Sequence, residues 1–136
     1  SACGVRVHAR NAAQAEEVAM TTGASTGAWP PEPGSWDLLI NCTPIGQYPR
    51  VNDTPIDARG LTGRFVYDLV YNPVMTRLLR EAGEAGCATI GGLEMLVAQA
   101  REQFCWWTGT KAPAGVMREA ALKRLAEFAR DENHIV

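Results

Sequence analysis

Val66-Tyr67-Asp68-Leu69-Val70-Tyr71-Asn72-Pro73 decides how the rest of the chain is read. From Phe65 to Val70 the run is almost continuously apolar, the pattern of a parallel strand covered on both faces. Asp68 interrupts the run near its carboxyl end, and Asn72-Pro73 stops it. Open α/β sheets bind ligands just beyond the carboxyl ends of their strands. A ligand is therefore expected near Asp68, Leu69 and Tyr71, although Tyr71 reads equally as a turn aromatic closing over the core.

Outward from this strand the pattern repeats. Trp36 to Asn41 reads as a second buried strand, running straight into Cys42-Thr43-Pro44-Ile45-Gly46. Such an ending places polar groups and exposed backbone at the carboxyl edge of a sheet, although turn chemistry alone also explains it. Residues 47–63, punctuated by Pro49, Pro55, Gly60 and Gly63, read as an excursion. Past Pro73 a helix from Met75 to Glu84 turns Leu78, Leu79 and Ala82 inward and Gly86 ends it. Cys87 to Ile90 is a short strand, and Gly91-Gly92 opens a helix from Leu93 to Trp107. On that helix Leu93, Leu96, Val97, Ala100, Phe104 and Trp107 form one stripe, the expected core face. Met95 and Gln99, four apart, share the opposite face, which suits either a ligand or, with Glu102 beside them, plain solvent. A Gly-Gly entry also lets a ligand approach the helix N-terminus closely. A last helix, Ala114 to Arg130, has an apolar side of Val116, Ala120, Leu122, Leu125 and Phe128. Residues 131–136, with His134, read as a frayed tail.

Before the excursion the same α/β alternation holds. Val5 to Ala9 reads as a strand, Asn11 as the N-cap of a helix from Ala12 to Met20, and Gly23 as its end. Thr26 to Ser35, rich in Gly and Pro, reads as a loop. His8 is a packed or edge histidine, with no nucleophile in recognisable relation to it. Arg10 follows the strand at the position that meets the adenosine ribose in doubly wound nucleotide-binding folds, where an arginine suits a 2′-phosphate. A solvated arginine at a helix start is the competing reading.

Bulk properties narrow the classes. At 136 residues and 46% hydrophobic the chain is one domain with one core. A net charge of −2 argues against nucleic-acid partners. Apolar runs are too short for a transmembrane helix, and the N-terminus lacks a signal-peptide pattern. Cys3, Cys42, Cys87 and Cys105 are too irregularly spaced for a zinc site or redox pair, so no metal is expected. Cys3, Cys42 and Cys87 read as reduced, buried thiols, which points to the cytoplasm. The chain opens on Ser1-Ala2-Cys3-Gly4 and enters a strand at once, as a piece of a longer protein would.

Three blocks together resemble a known family. Ile40 to Gly46, then Tyr67 to Pro73 with Thr76, Leu78 and Leu79, then Gly92 to Ala100 with Trp107-Thr108-Gly109, are similar to the C-terminal half of shikimate dehydrogenase. The resemblance covers about residues 5–130. It implies reduction of 3-dehydroshikimate to shikimate with NADPH, in aromatic amino acid biosynthesis, by a substrate domain and a Rossmann-like cofactor domain with a cleft between. Residues 1–110 would be a partial NADP-binding domain. Its three-layer open parallel sheet would lack the first strand and the Gly-rich loop. Residues 111–136 would pack toward the substrate domain.

By the same resemblance Arg10 matches the arginine at the adenosine 2′-phosphate, with Asn11 beside it in a departure from the family's usual Asn-Arg-Thr. Asn41 and Thr43 match the loop beside the cofactor, Leu69 the position packing on nicotinamide, and Gly92 the backbone contact to it. Tyr71 and Gln99 match residues that reach shikimate. The family's catalytic lysine and aspartate lie in its N-terminal domain, so no catalytic residue is assigned here; Lys111, Lys123 and Asp68 do not fill the gap. The fragment alone is expected to lack full activity. Its first strand and the Trp36 strand are expected to lack a neighbour, an edge that invites association. The full-length protein would be a monomer or homodimer. Rival readings are a quinate/shikimate dehydrogenase using NAD(P), or a non-catalytic domain binding a nucleotide or a partner.

Overall fold

A computed structural model describes residues 4–132, so Cys3 and His134 lie outside the described residues. The chain alternates strand and helix. β1 is Arg6–His8, α1 Ala12–Thr22, β2 Ser25–Gly27, β3 Leu38–Asn41, β4 Phe65–Asp68, α2 Arg77–Glu84, β5 Ala88–Ile90, α3 Gly92–Thr108 and α4 Ala114–Glu132. Every strand pairing is parallel. Among the described residues β1 pairs with β2, and β3-β4-β5 form a separate sheet with β4 central. Among those residues, one edge of β1 and one edge of β3 therefore carry no strand.

Local chemistry accounts for most element ends. Asn11, extended at φ −97°, accepts from the Ala13 N–H and starts α1; Gly23 closes it at φ 72°, a left-handed conformation that glycine adopts without a Cβ penalty. Thr76 caps α2 through the Leu79 N–H. Gly109, at φ 67°, ends α3.

β2 falls partly in the stretch expected to be a loop. Its pairing with β1 overrides the low strand propensity of Gly27. The excursion is also more than a surface detour. Ile56 and Leu61, either side of a 3₁₀ turn at Ala58–Gly60, are buried and join Val66, Leu78, Ala82 and Cys87 in the core, with Trp36 and Leu39 packed on them.

Two burial expectations are corrected. The β3-β4-β5 sheet is covered on one face only among the described residues. Leu39, Val66 and Asp68 turn toward α2, whereas Leu38, Ile40, Phe65 and Ile90 remain 41–49% exposed on the other face. A continuous apolar strand needs two covers, and one is supplied here. On α3 the stripe is buried at Leu93 and Val97 but not further along, and Trp107 is 73% exposed. α4 lies on α3, held by Arg118 to Glu94 at 3.1 Å, while an edge-to-face contact joins Phe128 to Tyr48. Val116, placed on its apolar side by sequence, is exposed.

Gly63 marks the tightest packing of the core. A Cβ there would lie 2.1 Å from the Trp36 ring and 2.8 Å from its carbonyl oxygen. Gly63→Ala is expected to lower stability by about 1–3 kcal/mol through overpacking, read as an earlier urea midpoint at unchanged slope.

Candidate functional site

The carboxyl edge of β3 and β4 is built around one buried side chain. Asp68, the last residue of β4, is fully buried. Its carboxylate accepts from Asn41 Nδ2 at 2.9 Å, the Val70 N–H at 3.1 Å and Thr76 Oγ1 at 2.6 Å. Asn41 stands opposite Asp68 in the strand register, so the parallel ladder itself brings the pair together. Asn41 Nδ2 also donates to the Ile45 carbonyl at 3.2 Å, and its Oδ1 accepts from both the N–H and Oγ1 of Thr43. Thr43 Oγ1 in turn accepts from the Ile45 N–H at 3.2 Å. Both donors and both acceptor positions of the Asn41 amide are thereby used within the protein. Asn41 shapes the loop after β3 and has no side-chain hydrogen bond left to offer a ligand.

The loops after β3 and β4 are joined further by the Tyr48 N–H donating to the Asn72 carbonyl at 3.0 Å. Beyond Asp68, Leu69 is half-buried and Tyr71 40% exposed. α3 starts against this same strand end. A Cβ on the buried Gly92 would lie 2.3 Å from the Leu69 carbonyl oxygen and 2.6 Å from that of Val70. The close approach that demands glycine is thus made by the protein's own backbone. Gln99 is exposed two turns along α3, and Met95 on the same face is half-buried. The structure gathers Asn41, Thr43, Leu69 and Gly92 at one strand edge, with Tyr71 exposed just beyond it and Gln99 exposed two turns further along α3.

Arg10 and Asn11 stand apart from that group, at the carboxyl end of β1. Arg10 is exposed and lines a cavity of about 450 Å³ together with Ala12 and Glu16 of α1 and Gly27, Ala28 and Trp29 at the end of β2. Asn11 Oδ1 is occupied as the helix cap, accepting from the Ala13 N–H at 3.1 Å.

Titration adds little reactivity. Cys42 is exposed rather than buried as sequence implied, yet partial desolvation pushes its thiol above the ordinary value, which keeps it protonated at neutral pH. The Arg77 guanidinium is raised by its hydrogen bond to Glu81 and by the charge of that carboxylate, and it also donates to the Asn52 carbonyl at 2.9 Å. Among the described residues no cluster of His, Cys, Asp and Glu could hold a metal ion. No helix there is long and apolar enough to cross a membrane.

Thr76, read from sequence as part of a motif and of the helix but given no role, is the N-cap of α2 and builds the site. It both donates to Asp68 and caps α2, and the signal was present as a threonine three residues before Leu79 at a helix start. Thr76→Val, nearly isosteric, removes both bonds and is expected to cost about 2–4 kcal/mol in urea unfolding. Thr76→Ser is expected to recover most of that loss.

Comparison with known proteins follows the same lines. A family model described as the shikimate 5′-dehydrogenase C-terminal domain matches residues 92–122. The NADP(+) shikimate dehydrogenase of Methanosarcina acetivorans is 47% identical over 90 residues, covering 65% of this chain and 32% of that protein. A shikimate dehydrogenase solved in complex with NADP+ superposes with a TM-score of 0.79 at 30% identity, over 90% of this chain and 47% of the other. The Thermus thermophilus enzyme in complex with NADP(H) and shikimate gives 0.77 at 33% identity, over 89% of this chain and 46% of the other. The chain thus spans about a third of the length of the curated relatives it matches and under half of the solved chains. In sequence and in fold it is similar to the C-terminal part of shikimate dehydrogenases.

Proposed function

We propose that this chain is the cofactor-binding portion of an NADP-dependent shikimate dehydrogenase. The observation that carries the reading is Arg10 at the carboxyl end of β1, lining a cavity beside the start of α1. A guanidinium there suits the adenosine 2′-phosphate, and the N-terminus of α1 favours the same negative charge. A cofactor selected by a free ribose hydroxyl would call for an acidic residue in that place.

The reaction is reduction of the 3-keto group of 3-dehydroshikimate to the alcohol of shikimate, with the hydride supplied by NADPH when bound. The residues of this chain bind and orient. Leu69 offers an apolar wall for the nicotinamide, with the backbone of Gly92 beside it. Asn41 and Thr43 hold the shape of the neighbouring loop. The Tyr71 hydroxyl and the Gln99 amide hydrogen-bond the substrate hydroxyls, and the amide can both donate and accept. The lysine–aspartate pair that manages the proton on the substrate oxygen would come from the substrate domain. Exposed Trp106, Trp107 and Val116, near the junction of α3 and α4, support that domain resting against this end of the chain.

Arg10→Gln is expected to raise the NADPH dissociation constant about 10- to 100-fold and that of NADH by about twofold at most. Dihydronicotinamide fluorescence titration measures both, and equal losses for the two cofactors would overturn the reading. In steady-state kinetics of the whole enzyme, Gln99→Ala is expected to raise KM for shikimate about tenfold with NADPH affinity unchanged.

A further inference from the structure

The Arg10 cavity is larger than a phosphate needs, and its lining includes an aromatic side chain, Trp29. At about 450 Å³ it falls in the range of small-molecule sites. Its lining is otherwise small, with Ala12 and Ala15 on α1 and Gly27 and Ala28 on β2 and just past it, so it has room for a flat ring. Among the described residues Arg10 is the only cation that lines it and Glu16 lines it too, which suits one anionic group but not two.

Arg10 and Trp29 line the same cavity, one from the end of each paired strand. His8 pairs with Gly27, the last residues of β1 and β2, so Arg10 and Trp29 both stand two residues beyond the final pair. A second device holds the β2 end in place. His8 Nδ1 is 2.6 Å from the Ala28 carbonyl oxygen. The imidazole reaches it by lying across Gly27, where a Cβ would come 2.3 Å from His8 Cε1. The glycine that weakens β2 as a strand is what admits the histidine. The half-buried Trp29 follows directly from the anchored carbonyl.

We propose that Trp29 is the base-recognition residue of this site, its indole stacking on the adenine of the bound dinucleotide while Arg10 takes the 2′-phosphate. His8 is a positioning residue that acts through the Ala28 carbonyl. The proposal rests on the reading of Arg10 given above, and the test separates the two.

The test titrates the intact protein with adenosine 2′-monophosphate and with adenosine, by calorimetry and by amide and indole NMR. Trp29→Leu is expected to weaken both ligands alike, by roughly five- to tenfold, with Trp29→Phe within about twofold of wild type. In the wild type the Trp29 indole N–H signal is expected to shift as adenosine 2′-monophosphate saturates. His8→Ala is expected to weaken binding about threefold, with Asn, whose amide overlays Nδ1, restoring it. If Arg10→Gln abolishes the preference for the phosphorylated ligand while Trp29→Leu binds as wild type, or the indole signal stays unshifted at saturation, the stacking role is overturned and the 2′-phosphate reading stands. If the wild type shows no preference for the phosphorylated ligand, the Arg10 reading falls. If neither ligand binds, both fall.

Discussion

The Asp68 carboxylate is the constraint on which the rest of this edge depends. It lies where a parallel strand runs out of ladder, a place where backbone groups need partners and the chain must turn. Burying an acidic group there is costly unless its oxygens find donors. The side chain meets that condition with donors from three segments: Asn41 ending β3, Val70 just past β4 and Thr76 starting α2. No single segment can move without leaving a buried acceptor short. The same bonds that satisfy the carboxylate therefore fix the spacing of two loops and the entry of a helix.

The seat of α3 is a consequence. With the chain after Asp68 held in place, the carbonyls of Leu69 and Val70 form a floor on which Gly92 rests. Any larger residue would have to push the helix away from the strand, and Gln99 would move with it. Positions as distant in sequence as Thr76 and Gln99 are thus mechanically related through a short length of backbone. The β1-β2 pair follows a similar logic on a smaller scale, where His8 and Gly27 hold the end of β2 against the end of β1.

Sequence disclosed the elements far better than their surroundings. Asn11 and Gly23 announced the ends of α1, because caps are local chemistry that a few residues encode. β3, β4 and β5 were readable from their apolar runs. β2 was not, since Gly27 argues against a strand and only its pairing with His8 makes one. Ile56 and Leu61 were hidden among prolines and glycines, and their burial depends on contacts with Val66 and Leu78 distant in sequence. The exposure of Leu38, Ile40 and Phe65 could not be read at all, because an apolar side chain does not say whether anything covers it. Of the two residues proposed to bind the adenosine end, Arg10 was suggested by its position after a strand, whereas Trp29 was submerged in a Trp-Pro-Pro loop that only the pairing of β1 with β2 brings to the same cavity.

Asn41 and Arg10 show why matching a motif is a weaker statement than locating a contact. Both lie at strand ends, and the proposed function sets both beside the cofactor. Asn41 is buried with its amide saturated by Asp68, Ile45 and Thr43, so a ligand could gain a hydrogen bond from it only by breaking one inside the protein. Arg10 is exposed, and its side chain lines open space. The cost of losing each differs accordingly: at Asn41 it falls on folding and on the shape of the loop, and at Arg10, under the proposed function, on binding. A side chain that builds the edge must be spent inward, and one that reads the ligand must be left unspent, so the residues that discriminate between cofactors are to be sought among the exposed ones beside the network and not within it.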